Sequence, residues 1–115
     1  MLFRSGLDPY AAFIRAESER QGVDPDLAMR LFKTESGGDP TAVSPKGAVG
    51  IGQLMPDTAR EMGLDPNERT HPEKNIRASL GYLKKLKDKY GSDDKAVAAY
   101  NMGPTALDKI GRAHV

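Results

Sequence analysis

The sequence predicts an all-α fold, and three observations carry that prediction. Apolar residues recur at helical spacing through most of the chain, each such stretch is bracketed by start and stop residues, and no run of strand length alternates apolar with polar. A first helix opens at Asp8-Pro9 and reaches about Gln21, with Gly22 as its stop and Phe13, Ile14 and Glu17 along one side. A second follows at once. Asp24 is a fitting N-cap, Pro25 fits the first helical position, and Gly37 or Gly38 fits the stop. Leu27, Ala28, Leu31 and Phe32 share one face of it. Residues 37–52, rich in Gly, Pro and Ser, read as a loop. Gln53 to Met62 reads as a short helical stretch closed by Gly63, and residues 65–72 as an irregular polar connection. The longest helix runs from about Pro72 to Tyr90. Ile76, Leu80, Leu83 and Leu86 form its buried stripe, and Lys84, Lys85, Lys87 and Lys89 mostly face solvent. Gly81 inside it costs about 1 kcal/mol relative to alanine. Ser92 caps a last helix containing Ala96, Val97, Ala99 and Tyr100, which Gly103-Pro104 ends.

At 115 residues the chain is one domain with room for a modest core. Its charges balance to a formal net +1, which gives no case for nucleic acid as a partner. The absence of cysteine excludes disulfides and thiolate metal sites. His71 and His114 stand far apart without metal-ligand spacing, so no metal is expected. No apolar run approaches the ~20 residues of a membrane span. Residues 1–5 and 110–115 back-translate to DNA like that of sequencing adaptors. They are expected to be non-native extensions, which leaves residues 6–109 as the domain.

Glu35 is the candidate for chemistry. It follows Leu27, Ala28, Leu31 and Phe32 on the same helical face, so its carboxyl is partly desolvated. It also lies near the helix C-terminus, where the macrodipole disfavours negative charge. Both effects raise its pKa above the ordinary ~4.3 and suit a general acid. A plainer alternative is a last-turn glutamate that reaches water.

Four segments occur in order: Glu35-Ser36-Gly37-Gly38; Ser44-Pro45-Lys46-Gly47-Ala48-Val49-Gly50-Ile51-Gly52-Gln53-Leu54-Met55-Pro56; Asn75-Ile76 with Tyr82-Leu83; and Ala98-Ala99-Tyr100-Asn101-Met102-Gly103-Pro104. Their order and spacing resemble the lytic transglycosylase domain of the soluble lytic transglycosylase family, over about residues 10–104. The resemblance implies a mainly helical, lysozyme-like domain with a Gly-rich loop lining the substrate cleft. It implies cleavage of peptidoglycan glycan strands between N-acetylmuramic acid and N-acetylglucosamine, leaving 1,6-anhydromuramic ends, with no cofactor. Glu35 is then the catalytic acid. Ser44 and Gln53 resemble the residues that orient it and the sugar, and Tyr100 and Asn101 the pair that binds substrate beside it. Each has a plain structural reading as well: Ser44 shaping a turn before Pro45, Gln53 an exposed helix residue, Tyr100 a core aromatic, Asn101 a helix C-terminal residue. Gly47, Gly50 and Gly52 are expected to clear side chains from the path of the polysaccharide. The expected setting is the periplasm, the cell envelope or a phage virion, and the expected state a monomer.

Two rivals share these features: a goose-type-like muramidase, and a non-catalytic peptidoglycan-binding or phage-tail module. A hydrolase would want a second carboxylate. Asp39, Asp57 and Glu61 are nearest in sequence, and they suit a turn, a helix first turn and an exposed helix face respectively. Three departures from the family pattern stand out. Ile51-Gly52 replaces a bulky Leu-Met pair, which is expected to open one sugar subsite. Ser79 stands where glycine is usual. A helix bearing Glu-Thr and Tyr-Val is expected after Pro104 and is absent, which is expected to reduce stability and activity.

Overall fold

Proline or a side-chain cap sets the start of the later helices. In the computed structural model, which describes residues 6–102, a single 3-10 turn at Asp8–Tyr10 leads into α1, Ala11–Gln21. Helices α2 (Pro25–Ser36), α3 (Pro56–Glu61) and α4 (Pro72–Tyr90) each begin on proline, and α5 spans Asp93–Met102. Among the described residues no strand forms, and no helix is long and apolar enough to cross a membrane. The stop at Gly103-Pro104, His114 and the tracts 1–5 and 110–115 lie outside the described residues.

The caps are those that the residue types predict. The Asp24 carboxylate accepts from the Asp26 N–H at 3.0 Å, and Gly37 closes α2 in the left-handed region at φ 66°, donating to the Lys33 carbonyl. Gly22 closes α1 at φ 78°. Ser92 Oγ accepts from the Lys95 N–H at 3.2 Å and so starts α5.

The chain divides into two compact units, one reaching Tyr82 and one starting at Leu83. In the first, α1 packs against α2, with Leu7, Ile14, Val23, Ala28, Leu31 and Phe32 buried. Leu54, Ala59, Leu64 and Ala78 form a cluster that Met62 covers. Gly81 has a packing reason, since a Cβ there would lie 2.9 Å from the Met62 methyl. In the second unit Leu83, Leu86, Ala96 and Ala99 are buried, and Lys87 pairs with Asp93 at 3.2 Å.

Glu17 is the buried charge of the first unit, at 6% exposure. Arg20 grips it one turn on, Gln21 Nε2 donates to it at 3.0 Å, and Arg77 Nε approaches at 3.5 Å from α4. Gln21 also donates to the Arg77 carbonyl, and the Arg77 guanidinium lies over the Phe13 ring. The Arg20 hydrogen bond, partly opposed by burial, holds the Glu17 carboxyl below the usual carboxylate range. Glu17→Ala should therefore cost about 2 kcal/mol, the scale of hydrogen bonds to a charged group. The wild-type advantage, read by urea unfolding, should be present above the ordinary carboxylate pKa and vanish as pH falls through the lowered folded value.

Candidate active site

Residues 42–54 form a strap built of two successive tight turns. Gly47 N–H donates to the Ser44 carbonyl at 3.0 Å in the first turn, and Gln53 N–H to the Gly50 carbonyl at 3.1 Å in the second. Val49 is the shared rung: it bridges antiparallel to Val43 on one side and to Leu54 on the other. The sequence reading placed a helix from Gln53; instead Gln53 takes φ 52° in the second turn, Leu54 pairs with Val49, and the helix waits for Pro56. Single-residue bridges are too short to produce the alternation that marks a strand.

Glu35 lies in the last turn of α2 and is half-buried. Burial raises its pKa above the ordinary 4.5, and among the described residues its carboxyl makes no hydrogen bond or ion pair. A desolvated carboxyl without a partner favours its protonated form. Its neighbour Ser36 donates from Oγ to the Ile51 carbonyl at 2.8 Å, which anchors the strap one residue from Glu35.

The strap has two further anchors. Arg69 Nη1 donates to the carbonyls of Gly47 at 2.9 Å and Leu54 at 2.8 Å, and its Nε donates to Pro66. From α4, the fully buried Asn75 binds the strap at Val49 and Gly52. The sequence singles out Asn75 without a role and does not mark Ser36 and Arg69 as anchors, nor Ser79 as the partner of Asn75. A buried asparagine on the apolar face of a helix was the available signal, because a buried amide needs partners.

Those contacts correct the reading of the glycines. A Cβ on Gly50 would lie 2.2 Å from the Arg69 carbonyl oxygen and 2.3 Å from Asn75 Nδ2. A Cβ on Gly52 would lie 1.9 Å from Ser79 Oγ. Both glycines are buried and admit α4 and its approach, not a sugar; only Gly47 of the three faces open space. For the same reason the Ile51-Gly52 departure opens no subsite here: Ile51 is in the core and Ser79 fills the place beside Gly52.

Of the other candidate residues, Ser44 and Gln53 share the strap. Ser44 Oγ accepts from the Ala48 N–H at 3.0 Å, which gives it a turn-closing role. Gln53 Nε2 donates to the Ala42 and Gly50 carbonyls at 3.0 Å each, clipping the strap to itself. A non-glycine residue at this φ costs about 1–2 kcal/mol, so Gln53→Gly trades relief of that strain against two lost hydrogen bonds. Its thermal midpoint should stay close to wild type, and a collapse in scanning calorimetry would show that the clip dominates. Tyr100 and Asn101 lie in the last turns of α5, Tyr100 partly buried and Asn101 exposed.

The nearby carboxylates have other tasks. Asp39 accepts from both the hydroxyl and the N–H of Thr41, hydrogen bonds that hold it below the usual range. Asp57 is 99% exposed and pairs with Arg60, and Glu61 is exposed.

A helical unit with a half-buried acid at the end of a helix, set beside a glycine-rich strap, defines a lysozyme-like α domain. The chain belongs to the Transglycosylase SLT domain family, whose model matches residues 12–114. It is 37% identical over 90 residues to a transglycosylase of Enterobacteria phage PRD1, covering 78% of this chain and 33% of that protein. It is 37% identical over 101 residues to membrane-bound lytic murein transglycosylase F of Alcanivorax borkumensis, covering 82% of this chain and 21% of the relative. Membrane-bound lytic murein transglycosylase C of Histophilus somni is 32% identical, with 88% and 32% covered. The chain thus spans a third or less of these relatives. Among solved structures, the 70 kDa soluble lytic transglycosylase of Escherichia coli superposes with a TM-score of 0.80 at 28% identity, covering 87% of this chain and 18% of that one. An inactive glutamate-to-glutamine mutant of lytic transglycosylase Slt from Pseudomonas aeruginosa gives 0.75 at 27%, with 86% and 17% covered.

Proposed function

We propose that this domain is the catalytic part of a peptidoglycan lytic transglycosylase, with Glu35 as its one acid. The observation that carries the reading is the half-buried Glu35 carboxyl, without a hydrogen bond or ion pair among the described residues, on the helix to which the glycine-rich strap is anchored. The relatives' names support the substrate, since they are murein transglycosylases of bacterial membranes and a phage transglycosylase. The domain accordingly acts outside the cytoplasm, on the cell wall or from a virion.

One carboxyl serves twice. Protonated Glu35 gives its proton to the glycosidic oxygen between N-acetylmuramic acid and N-acetylglucosamine, and the C1–O bond breaks toward an oxocarbenium-like state. The ionised carboxylate then takes the proton of the muramic 6-hydroxyl, whose oxygen bonds to C1 and gives the 1,6-anhydro end. The nucleophile belongs to the substrate, so no water is consumed, and such internal attack has effective molarities on the order of 10⁵–10⁸ M. A two-carboxylate hydrolase needs a second acid about 5–9.5 Å away. The turn and surface tasks of Asp39 and Asp57 leave neither as a partner, which supports the lyase over the muramidase. Ser44, Gln53, Tyr100 and Asn101 are assigned to sugar binding on family resemblance.

Mass spectrometry of muropeptides released from purified sacculi tests the reading. The expected product is lighter by one water than the hydrolytic one. Hydrated ends would identify a muramidase, and binding of wall fragments without cutting a non-catalytic module.

A further inference from the structure

Asn75 uses every hydrogen bond that its amide can make. Its Oδ1 accepts from the Gly52 N–H at 2.8 Å and from Ser79 Oγ at 3.1 Å. Its Nδ2 donates to the Arg69 carbonyl at 2.8 Å and the Val49 carbonyl at 3.1 Å. A side-chain amide has two acceptor sites and two donor hydrogens, so none is left over. The residue is 0% exposed, as is Ser79 one turn on. A fully satisfied buried network of this kind fixes one geometry, because any other would strand a polar group.

The geometry is that of the strap. Asn75 grips its second turn from α4, at Val49 and Gly52; Ile51, between them, accepts the Ser36 hydroxyl from α2. The strap is therefore clamped between the buried amide of α4 and the residue after Glu35. We propose that Asn75 is a positioning residue for the proposed acid: acting through residues 49–52, it holds the strap against the end of α2 and so sets the surroundings of the Glu35 carboxyl. This rests on the reading of Glu35 as the acid. Ser79 supports it by occupying the second lone pair of Asn75 Oδ1 and orienting the amide. Asn75 itself touches no reacting group.

The test compares Asn75→Ala with Ile14→Ala, which removes a buried side chain of α1. Digestion of sacculi at 25 °C is normalised to the folded fraction seen by circular dichroism. Asn75→Ala should lose about 30-fold or more in kcat, while Ile14→Ala stays within about threefold. In Asn75→Ala the alkaline limb of the pH profile should also move to lower pH, because a loosened strap lets water reach Glu35. Asn75→Ala changes none of the charged groups on the elements that meet there, which are Asp26, Arg30 and Lys33 of α2, Asp39 and Lys46 before and within the strap, Arg69 behind it, and Glu73, Lys74 and Arg77 in the first turns of α4, so the shift reports hydration of the acid. Should Asn75→Ala not fold, Ser36→Ala removes the strap's anchor on α2 and should lower kcat about three- to tenfold with the same limb shift. If the pH profile stays in place and the normalised kcat of these variants stays within about threefold of wild type, as in Ile14→Ala, the inference is overturned. A wild-type chain that releases no muropeptide would instead overturn the functional reading, and the inference with it.

Discussion

Glu35→Gln should abolish release of anhydromuropeptides while leaving the domain folded. Glutamine keeps the size of the side chain and removes both the proton given to the glycosidic oxygen and the carboxylate that takes the 6-hydroxyl proton. General acid–base catalysis contributes about 10²–10⁴-fold, and here one group supplies both steps, so a loss of kcat at the upper end of that range is expected. Stability should move the other way. Burial raises the Glu35 pKa, so the folded state holds that proton more tightly than the unfolded chain does. The contribution of this group to stability is then complete below the ordinary value of 4.5 and declines as pH rises through the raised folded value. At pH 7 ionisation of this carboxyl therefore favours the unfolded wild-type chain over the folded one, a penalty that the glutamine variant lacks. Glu35→Gln should melt above wild type at pH 7, and the difference should close below pH 4.5. Calorimetry at the two pH values checks the sign. A variant that cuts walls as fast as wild type would remove Glu35 from the chemistry. One that is inactive yet melts lower at pH 7 would contradict the desolvated-acid picture.

Much of this site was legible because its causes are local. The α2 stripe, its Asp24 cap and its Gly37 stop follow from spacing and residue type, and they alone put Glu35 on a half-buried face. Ser92 at the start of α5 is legible in the same way. The strap was not. Its shape depends on Arg69, Asn75 and Ser36, which reach it from 15 to 26 residues away in the chain, and its own bridges are single residue pairs. The glycines show the limit best. A glycine can be required by a turn, by a ligand or by a neighbour, and sequence does not say which. At Gly50 and Gly52 the neighbour decides.

Gly52 and Ser79 give the second large effect. The resemblance noted in the sequence marks both positions as departures from the family pattern, and as sequence the two look independent. In the fold they face each other: a Cβ on Gly52 would lie 1.9 Å from Ser79 Oγ, 2.7 Å from Ser79 Cβ and 2.9 Å from Asn75 Oδ1. Gly52→Ala should therefore destabilise by about 3 kcal/mol, the upper range for overpacking a closed core, because both neighbours are buried in a network that cannot shift without breaking hydrogen bonds. Ser79→Gly alone should cost about 2 kcal/mol, from a helical glycine and a lost hydrogen bond. Ser79→Gly also removes the two nearest atoms, so the double variant should be more stable than the sum of the single costs by about 1–2 kcal/mol, a coupling typical of residues in contact. Urea unfolding of the four proteins measures that coupling directly. Strict additivity would mean that the strap and α4 relax apart when Gly52 is filled, and the close approach of the two would then not be what requires glycine at that position.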